Sequence, residues 1–218
     1  MKQRIKHLFL NNKFLNSCYT LFHHNKIHSG ILLRSSAVLK NNKIFQIKNC
    51  KKNSVLIGFN SHIQNTIIVF HGNDNQITIG DNVSLINATI KIFDDKNIIR
   101  IGNNTKMSNA ISIYSLEGHS IIIGTDCLFG EKIEIRNSDS HSIINSKGIR
   151  LNPANDVVIG NHVWVGRGCL ILKGTNIGNN CVVGANSILT KNYNEGSLLV
   201  GSPAKCSNQN INWDINRI

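Results

Sequence analysis

The stretch Val157–Asn194 constrains the fold of this chain more than any other part of it. A large aliphatic residue stands at every sixth position: Ile159, Val165, Ile171, Ile177, Val183 and Leu189. Four places after each comes a mostly small side chain: Val163, Cys169, Thr175, Cys181, Ser187 and Tyr193. A period of six matches neither a helix, with about 3.6 residues per turn, nor the period of about 2 of a strand. It predicts a coil of short strands joined by corners, with successive turns stacked about 4.8 Å apart.

Three sixes make one turn of 18 residues, and this predicts that Gly160, Gly178 and Gly196 stack in one column. An earlier set of glycines recurs every 22 residues, each after an isoleucine: Gly58, Gly80, Gly102 and Gly124. We interpret the early turns as the same coil with longer, polar corners. A fixed repeat of roughly 20 to 50 residues is typical of solenoid folds, so the repeat decides the fold class.

The repeat is interrupted once. The interval from Gly124 to Gly160 is 36 residues, which is one turn of 22 plus about 14 more. The additional residues lie in a polar segment around residues 138–155, which contains His141. Because a long loop in a regular scaffold is often functional, we expect the chemistry of the protein there.

The two ends of the chain lack the repeat. Residues 1–30 are basic with a loosely helical apolar spacing, and they are too polar to span a membrane and lack a cleavage site. Two interpretations stay open: a helix that caps the open end of the coil, or peripheral contact of residues 1–24 with an anionic membrane. We expect the β-helix domain to cover residues 31–205 and a C-terminal extension to cover 206–218.

The composition limits the partners. With 24 Lys and Arg against 12 acidic residues, the formal net charge is +12, which indicates an anionic ligand or simply a basic surface. Aromatic residues make up 6% and no aromatic-studded basic motif occurs, so we do not expect nucleic acid as a partner. The six cysteines show no zinc spacing, and we expect a reducing cytoplasmic location, with the inner face of the membrane as an option.

The repeat resembles the hexapeptide-repeat acyltransferases, and this resemblance implies an all-β fold, a left-handed parallel β-helix. The hand of the coil is implied by the resemblance alone. Several segments resemble bacterial capsule sialic-acid O-acetyltransferases: EIRNSDSH, GIRLN, DVVIGNHVWVGRG, GSPAK and a late NINW. Those enzymes act as trimers, with coenzyme A (CoA) between adjacent coils.

The resemblance also implies roles for residues. His141 is expected to act as the general base, which suits an imidazole because its neutral form is a base near pH 7. Asp139 stands two residues earlier and could hold the ring in one tautomer. Trp164 matches a tryptophan that lies beside the thioester. Arg167, Ala185, Thr190, Lys191 and Lys205 match residues that contact CoA, and Lys173 is a further basic candidate.

Thr190 stands where those enzymes would have a tyrosine, so the acceptor is less firmly indicated than the donor. A zinc site on this fold would need three histidines at a subunit boundary, and the sequence offers no such triplet. We therefore expect no metal, and the resemblance implies acetyl-CoA as the acetyl donor.

The resemblance thus implies an acetyl-CoA-dependent O-acetyltransferase that acts as a homotrimer on a surface polysaccharide or its sugar precursor. An anionic, sialic-acid-containing acceptor is one option. Two alternatives stay open. One is N-acetylation of an amino sugar or O-acetylation of a small molecule. The other is a non-catalytic β-helix scaffold.

Overall fold

The computed structural model describes residues 24–28, 32–35, 37–47 and 49–217, with the backbone alone for 32–35. Every regular element in these residues is a short β-strand, and the strands form three sheets, here called faces A, B and C. Face A contains β1 (Lys26–Ile27), β4 (Lys43–Gln46), β7 (Ile67–His71), β10 (Thr89–Phe93), β13 (Ser112–Ser115), β16 (Glu134–Arg136), β19 (Leu170–Ile171) and β22 (Ile188–Leu189).

Faces B and C are built in the same way. Face B contains β2 (Leu32–Ser35), β5 (Ser54–Ile57), β8 (Gln76–Ile79), β11 (Ile98–Ile101), β14 (Ser120–Ile123), β17 (Val157–Ile159), β20 (Asn176–Ile177) and β23 (Asn192–Tyr193). Face C contains β3 (Val38–Lys40), β6 (His62–Gln64), β9 (Ser84–Ile86), β12 (Lys106–Met107), β15 (Leu128–Phe129), β18 (Trp164–Val165), β21 (Val182–Val183), β24 (Leu198–Gly201) and β25 (Ala204–Asn208).

The chain visits faces B, C and A in that order in every turn, and we name the corners B/C, C/A and A/B. Each strand pairs in parallel with the strand three places on, whereas β25 folds back antiparallel on β24. The predicted all-β parallel β-helix is therefore confirmed. The coil resembles a triangular prism, so the A/B corner is the edge opposite face C.

The core fills the inside of the prism. All six aliphatic residues of the six-residue repeat are buried, as predicted, because alternate residues of each short strand point inward. The small fifth-place residues are buried next to the corners, where hydroxyl groups pair with the main chain. Thr105, for example, donates to the carbonyl oxygen of Gly124, and Ser61 donates to that of Gly80.

The predicted column of early glycines is confirmed at the start of the B/C corners. A methyl group on Gly102 would lie 2.5 Å from the carbonyl carbon of Gly124, so no side chain fits where these turns stack. Asparagines occupy the left-handed position of the same corners: Asn60, Asn82 and Asn104 have φ near +56° to +59°. Each donates a side-chain hydrogen bond to the next residue of its column, which satisfies the exposed amides.

The prediction for Gly196 was wrong. Ile177 pairs with Tyr193, so Gly178 lies against Asn194 and Glu195 instead of Gly196. The last A/B corner holds only Thr190 and Lys191, two residues fewer than the corner before it, and the final turn is correspondingly shorter.

The N-terminal predictions are only partly accessible. Most of the predicted helical cap, and residues 1–23 in particular, lies outside the described residues. Lys26 and Ile27 already belong to face A, and β25 runs to Asn208, so the sheets extend beyond both ends of the predicted 31–205 domain. In the described part of the chain, no helix is long and apolar enough to cross a membrane.

Candidate functional site

The one long loop in the described part of the coil leaves the A/B corner after β16 and returns at β17. Its tip is a small hairpin. The main-chain nitrogen of Leu151 donates a hydrogen bond to the carbonyl oxygen of Ile143 (2.7 Å), and Ile144 and Arg150 form an antiparallel β-bridge. The hairpin exposes four aliphatic side chains, each 58–60% accessible: Ile143, Ile144, Ile149 and Leu151. Exposed aliphatic residues at this density indicate a contact surface.

An ion pair ties this hairpin to the coil. Arg150 donates two hydrogen bonds, of 2.6 and 2.9 Å, to the carboxylate of Glu117 on the preceding turn, and the hydroxyl of Ser138 donates a third. The Arg150 hydrogen bonds are the main reason that the pKa of Glu117 falls to about 2. Glu117 is therefore ionised at neutral pH and fixes both strands of the loop.

Asp139 and Lys173 form a second tie. The Lys173 ammonium lies 2.6 Å from the Asp139 carboxylate and also donates to the carbonyl oxygen of Pro153 (3.1 Å). The hydrogen bond from Lys173 lowers the pKa of Asp139. Lys173, predicted as a candidate for binding CoA, is thus already neutralised by the loop, because the chain brings a carboxylate from 34 residues upstream onto it.

His141 lies on the outward part of this loop and is exposed. Its carbonyl oxygen accepts a hydrogen bond from the Asn152 amide, which also donates to Asp139. Within the described residues, the imidazole has no hydrogen-bond partner. The predicted contact of Asp139 with the ring is therefore not formed; Asp139 instead holds the main chain of His141 through Asn152.

A second histidine of the same corner does have a carboxylate partner. His119 Nδ1 lies 3.0 Å from Asp156, which also accepts a hydrogen bond from the main chain of Ser120. His119 was not among the site residues predicted from the sequence, and its partner stands 37 positions away. Its place beside the end of the loop makes it the competitor of His141 for the role of base.

Trp164 lies on face C and is 42% exposed. Trp213, from the C-terminal extension, lies with its ring centroid 6.1 Å from that of Trp164 and stacks on His162 at 4.4 Å. Its indole also donates to the carbonyl oxygen of His162 (2.8 Å). This contact was not predicted from the sequence. The one available signal was that Trp164 and Trp213 are the only two tryptophans of the chain.

The C-terminal extension also borders an open cavity. Residues 213–216 cover part of the B/C corner and leave a space of about 490 Å³, which His162, Asp126 and the asparagine column line. Its amide, carboxylate and imidazole groups can all form hydrogen bonds with a hydroxyl-rich ligand.

The residues predicted to bind CoA lie at two different corners. Arg167 and Ala185 are in C/A corners, whereas Thr190 and Lys191 form the last A/B corner. Lys191 and Lys205 line one cavity of about 280 Å³ at the C-terminal end of the coil. Arg167, Lys191 and Lys205 are exposed and form no ion pair with the described residues, so they are available to bind phosphate groups.

Tyr193 lies beside Thr190, the position at which a tyrosine was expected. Its hydroxyl lies 3.4 Å from the Thr190 main-chain nitrogen and donates to the carbonyl oxygen of Ala204 (3.2 Å). A phenol is therefore present at this corner, and it is supplied by the residue three positions after Thr190.

The predicted site is consequently divided within one copy of the chain. The loop with His141 is at the A/B corner, and Trp164 is on face C, on the opposite side of the prism. The packed core separates them. In the described residues, no group of three or more His, Cys, Asp or Glu side chains could hold a metal ion.

Comparisons with known proteins show the same fold and the same family. The family model "Bacterial transferase hexapeptide (six repeats)" matches residues 156–191. The crystal structure of the polysialic acid O-acetyltransferase OatWY is 34% identical, with a TM-score of 0.73, over 89% of this chain and 88% of that chain. The structure of the polySia-specific acetyltransferase NeuO is 28% identical, with a TM-score of 0.82, over 88% and 82%.

Matches to curated sequences are much shorter. The chloramphenicol acetyltransferase of Agrobacterium fabrum is 40% identical over 53 residues, which are 24% of this chain and 25% of that protein. The chain therefore aligns with about a quarter of the length of such relatives.

Proposed function

This chain belongs to the hexapeptide-repeat acyltransferase family, and we propose that it transfers an acetyl group from acetyl-CoA to a hydroxyl group of a bacterial surface polysaccharide. The observation that carries this proposal is the length of its similarity to two polysialic acid acetyltransferases, which extends over nearly nine-tenths of the chain. The similarity to chloramphenicol acetyltransferase covers a much smaller part of the chain. A polysaccharide acceptor is therefore better supported than a small molecule.

His141 is the general base of the proposed reaction. Its imidazole is exposed and without a partner in the described residues, so it can accept the proton of an acceptor hydroxyl. The oxygen then attacks the thioester carbonyl, an O–C bond forms, and the C–S bond breaks. The imidazolium returns the proton to the leaving thiolate. The contacts of Glu117, Asp139 and Asn152 hold the loop and so hold the histidine.

Trp164 and the free cations serve the acetyl donor, which supplies the activated thioester. The exposed indole of Trp164 offers a flat apolar surface to the donor. Arg167, Lys191 and Lys205 carry the charge that its phosphates require. Ala185 and Thr190 line the same corners with small side chains, which leave room for the pantetheine arm. Lys173 has no part in this set because it neutralises Asp139.

The complete site forms between copies of the chain. One copy presents His141 at the edge opposite its own Trp164, so a single site can combine both only if the loop of one copy meets face C of another. The exposed aliphatic hairpin around Ile144 supplies the contact surface. Two different surfaces meet in such a contact, and contacts of this type close into rings. We propose a homotrimer.

We also propose a cytoplasmic location. Cys127, Cys169 and Cys181 are buried free thiols in successive turns of the coil, and no disulfide links the described residues. Persisting free cysteines are typical of a reducing compartment.

The test is release of free thiol from acetyl-CoA in the presence of purified polysaccharides, sialylated and neutral. The wild type should release thiol with a polysaccharide, and His141→Ala should reduce turnover by roughly 10²–10⁴-fold while still binding CoA. His119→Ala should keep most of the activity. The reverse result would assign the base to His119, and turnover with amino sugars or small alcohols alone would replace the polysaccharide as acceptor.

A further inference from the structure

Charge is distributed very unevenly along the chain. Eleven of the 24 Lys and Arg residues come before Asp74, which is the first acidic residue. The other 13 share the rest of the chain with all 12 acidic residues. Almost the whole net charge of +12 therefore belongs to the N-terminal third, which indicates an anionic partner for that part of the molecule.

We call the described residues before Asp74 (24–28, 32–35, 37–47 and 49–73) the basic end of the coil. Lys26 and Lys43 are register partners on face A, and both are exposed. Neighbouring like charges on a sheet repel each other, so this pair favours an anion between them. Lys52 has Asp74 at 3.9 Å, but its side chain is 80% exposed, and such a pair compensates little charge.

Bulky apolar side chains are also exposed at the basic end. Phe45 and Ile67 project from face A, and Ile47 lies directly after the face-A strand β4. Leu56 projects from face B and Phe59 from a B/C corner, and each of the five has 36–48% of its surface accessible. By contrast, residues 74–142, all of which the structure describes, expose no large apolar side chain. The apolar groups thus surround the end of the coil on more than one side.

This combination distinguishes two kinds of anionic partner. An acidic polysaccharide in water would interact with the lysines but would not cover the apolar side chains. At the surface of a bilayer, lysines contact lipid phosphates while aromatic and aliphatic groups enter the boundary of the acyl chains. We infer that the basic end docks onto an anionic lipid bilayer, with the coil standing end-on to it.

Flotation of the full-length protein with lipid vesicles tests this inference. The protein should float with vesicles of phosphatidylcholine and phosphatidylglycerol and remain behind with phosphatidylcholine alone. Lys26→Glu with Lys43→Glu should weaken binding roughly thirtyfold or more. The matched control is Lys106→Glu with Lys132→Glu, which changes the charge equally at exposed sites outside the basic end, and it should weaken binding far less.

A second pair of variants tests the apolar contribution. The double variant Phe45→Ser, Ile47→Ser should weaken binding to the same vesicles at high salt. An unchanged melting temperature and oligomeric state would show that these two substitutions leave the fold intact. Dextran sulfate serves as a soluble polyanion. Equal losses in both charge variants would overturn the inference. The inference would also be overturned if binding to dextran sulfate depended on Lys26 and Lys43 while the Phe45→Ser, Ile47→Ser variant bound vesicles like the wild type. Dissociation of the oligomer by the Phe45→Ser, Ile47→Ser variant would overturn it as well.

Discussion

The carboxylate of Asp139 lies 2.6 Å from the ammonium group of Lys173, and it also accepts a hydrogen bond from Asn152. The same Asn152 amide donates to the carbonyl oxygen of His141. Asp139 therefore acts on the main chain of the loop, and through it on the position of the proposed base, although it stands only two residues from the ring that it was expected to orient.

Removing either partner of the Asp139–Lys173 ion pair should lower the turnover number in the same way. We expect Asp139→Asn and Lys173→Met each to lower kcat by about ten- to a hundredfold, because both free the loop that positions His141. Since the two changes remove one shared contact, the double variant should be no worse than the worse single variant. Steady-state kinetics of the three variants checks this. If Asp139→Asn costs far more than Lys173→Met, Asp139 acts on the ring itself.

The Glu117–Arg150 pair predicts a pH dependence of the loop. The folded pKa of Glu117 is lowered to about 2 from an ordinary value of 4.5, so its stabilising effect is full above 4.5 and is lost as the pH falls towards 2. The protection factors of the loop amides, which are corrected for the intrinsic pH dependence of hydrogen exchange, should fall as the pH drops across that window. Glu117→Gln should lower them already at neutral pH, whereas the exposed control Glu131→Gln should not. Equal protection in wild type and Glu117→Gln would refute the tie.

The glycine column predicts a graded effect on stability. Gly102→Ala should lower the free energy of unfolding by more than about 3 kcal/mol. The new methyl group would lie 2.5 Å from the Gly124 backbone, and the two stacked turns cannot move apart. Gly148→Ala should cost only about 1–2 kcal/mol, since that glycine has a left-handed φ of +75° but open space around it. Urea unfolding measures both. Similar losses at the two positions would contradict stacking as the cause.

The two tryptophans allow a spectroscopic test of Trp164. Trp213→Phe leaves Trp164 as the only tryptophan, and CoA should then quench its emission if the donor lies against it. Trp164→Phe leaves Trp213, whose indole is engaged with His162, and CoA should quench it much less. Quenching that is confined to Trp213 would remove Trp164 from the donor site.

The coil could be predicted from the sequence because its information is local and repeated. Ile159, Gly160 and Val163 each belong to a column of residues with a fixed spacing. In most turns an inward-facing aliphatic residue is followed by a glycine at the corner and then by a small buried residue. The prediction failed at Gly196 because one shortened corner, with only Thr190 and Lys191, shifts everything after it.

The site could be predicted only in part. The interruption of the repeat around His141 was visible in the sequence. The partners of Asp139, Glu117 and His119, however, lie 33 to 37 residues away and depend on how the loop packs. No periodicity encodes such contacts. Trp213 was missed for the same reason, since its contact with His162 spans 51 residues. The hand of the coil came from the resemblance alone.

The most direct test of the proposed site mixes two inactive variants. His141→Ala and Trp164→Ala are coexpressed with different tags, mixed oligomers are purified, and thiol release from acetyl-CoA is measured with the acceptor polysaccharide. Each variant alone should be nearly inactive. The mixed oligomers should recover substantial activity, because some of their sites combine an intact His141 from one copy with an intact Trp164 from another. Mixed oligomers that stay as inactive as the separate variants would contradict a site shared between copies, and full activity of His141→Ala alone would contradict the mechanism.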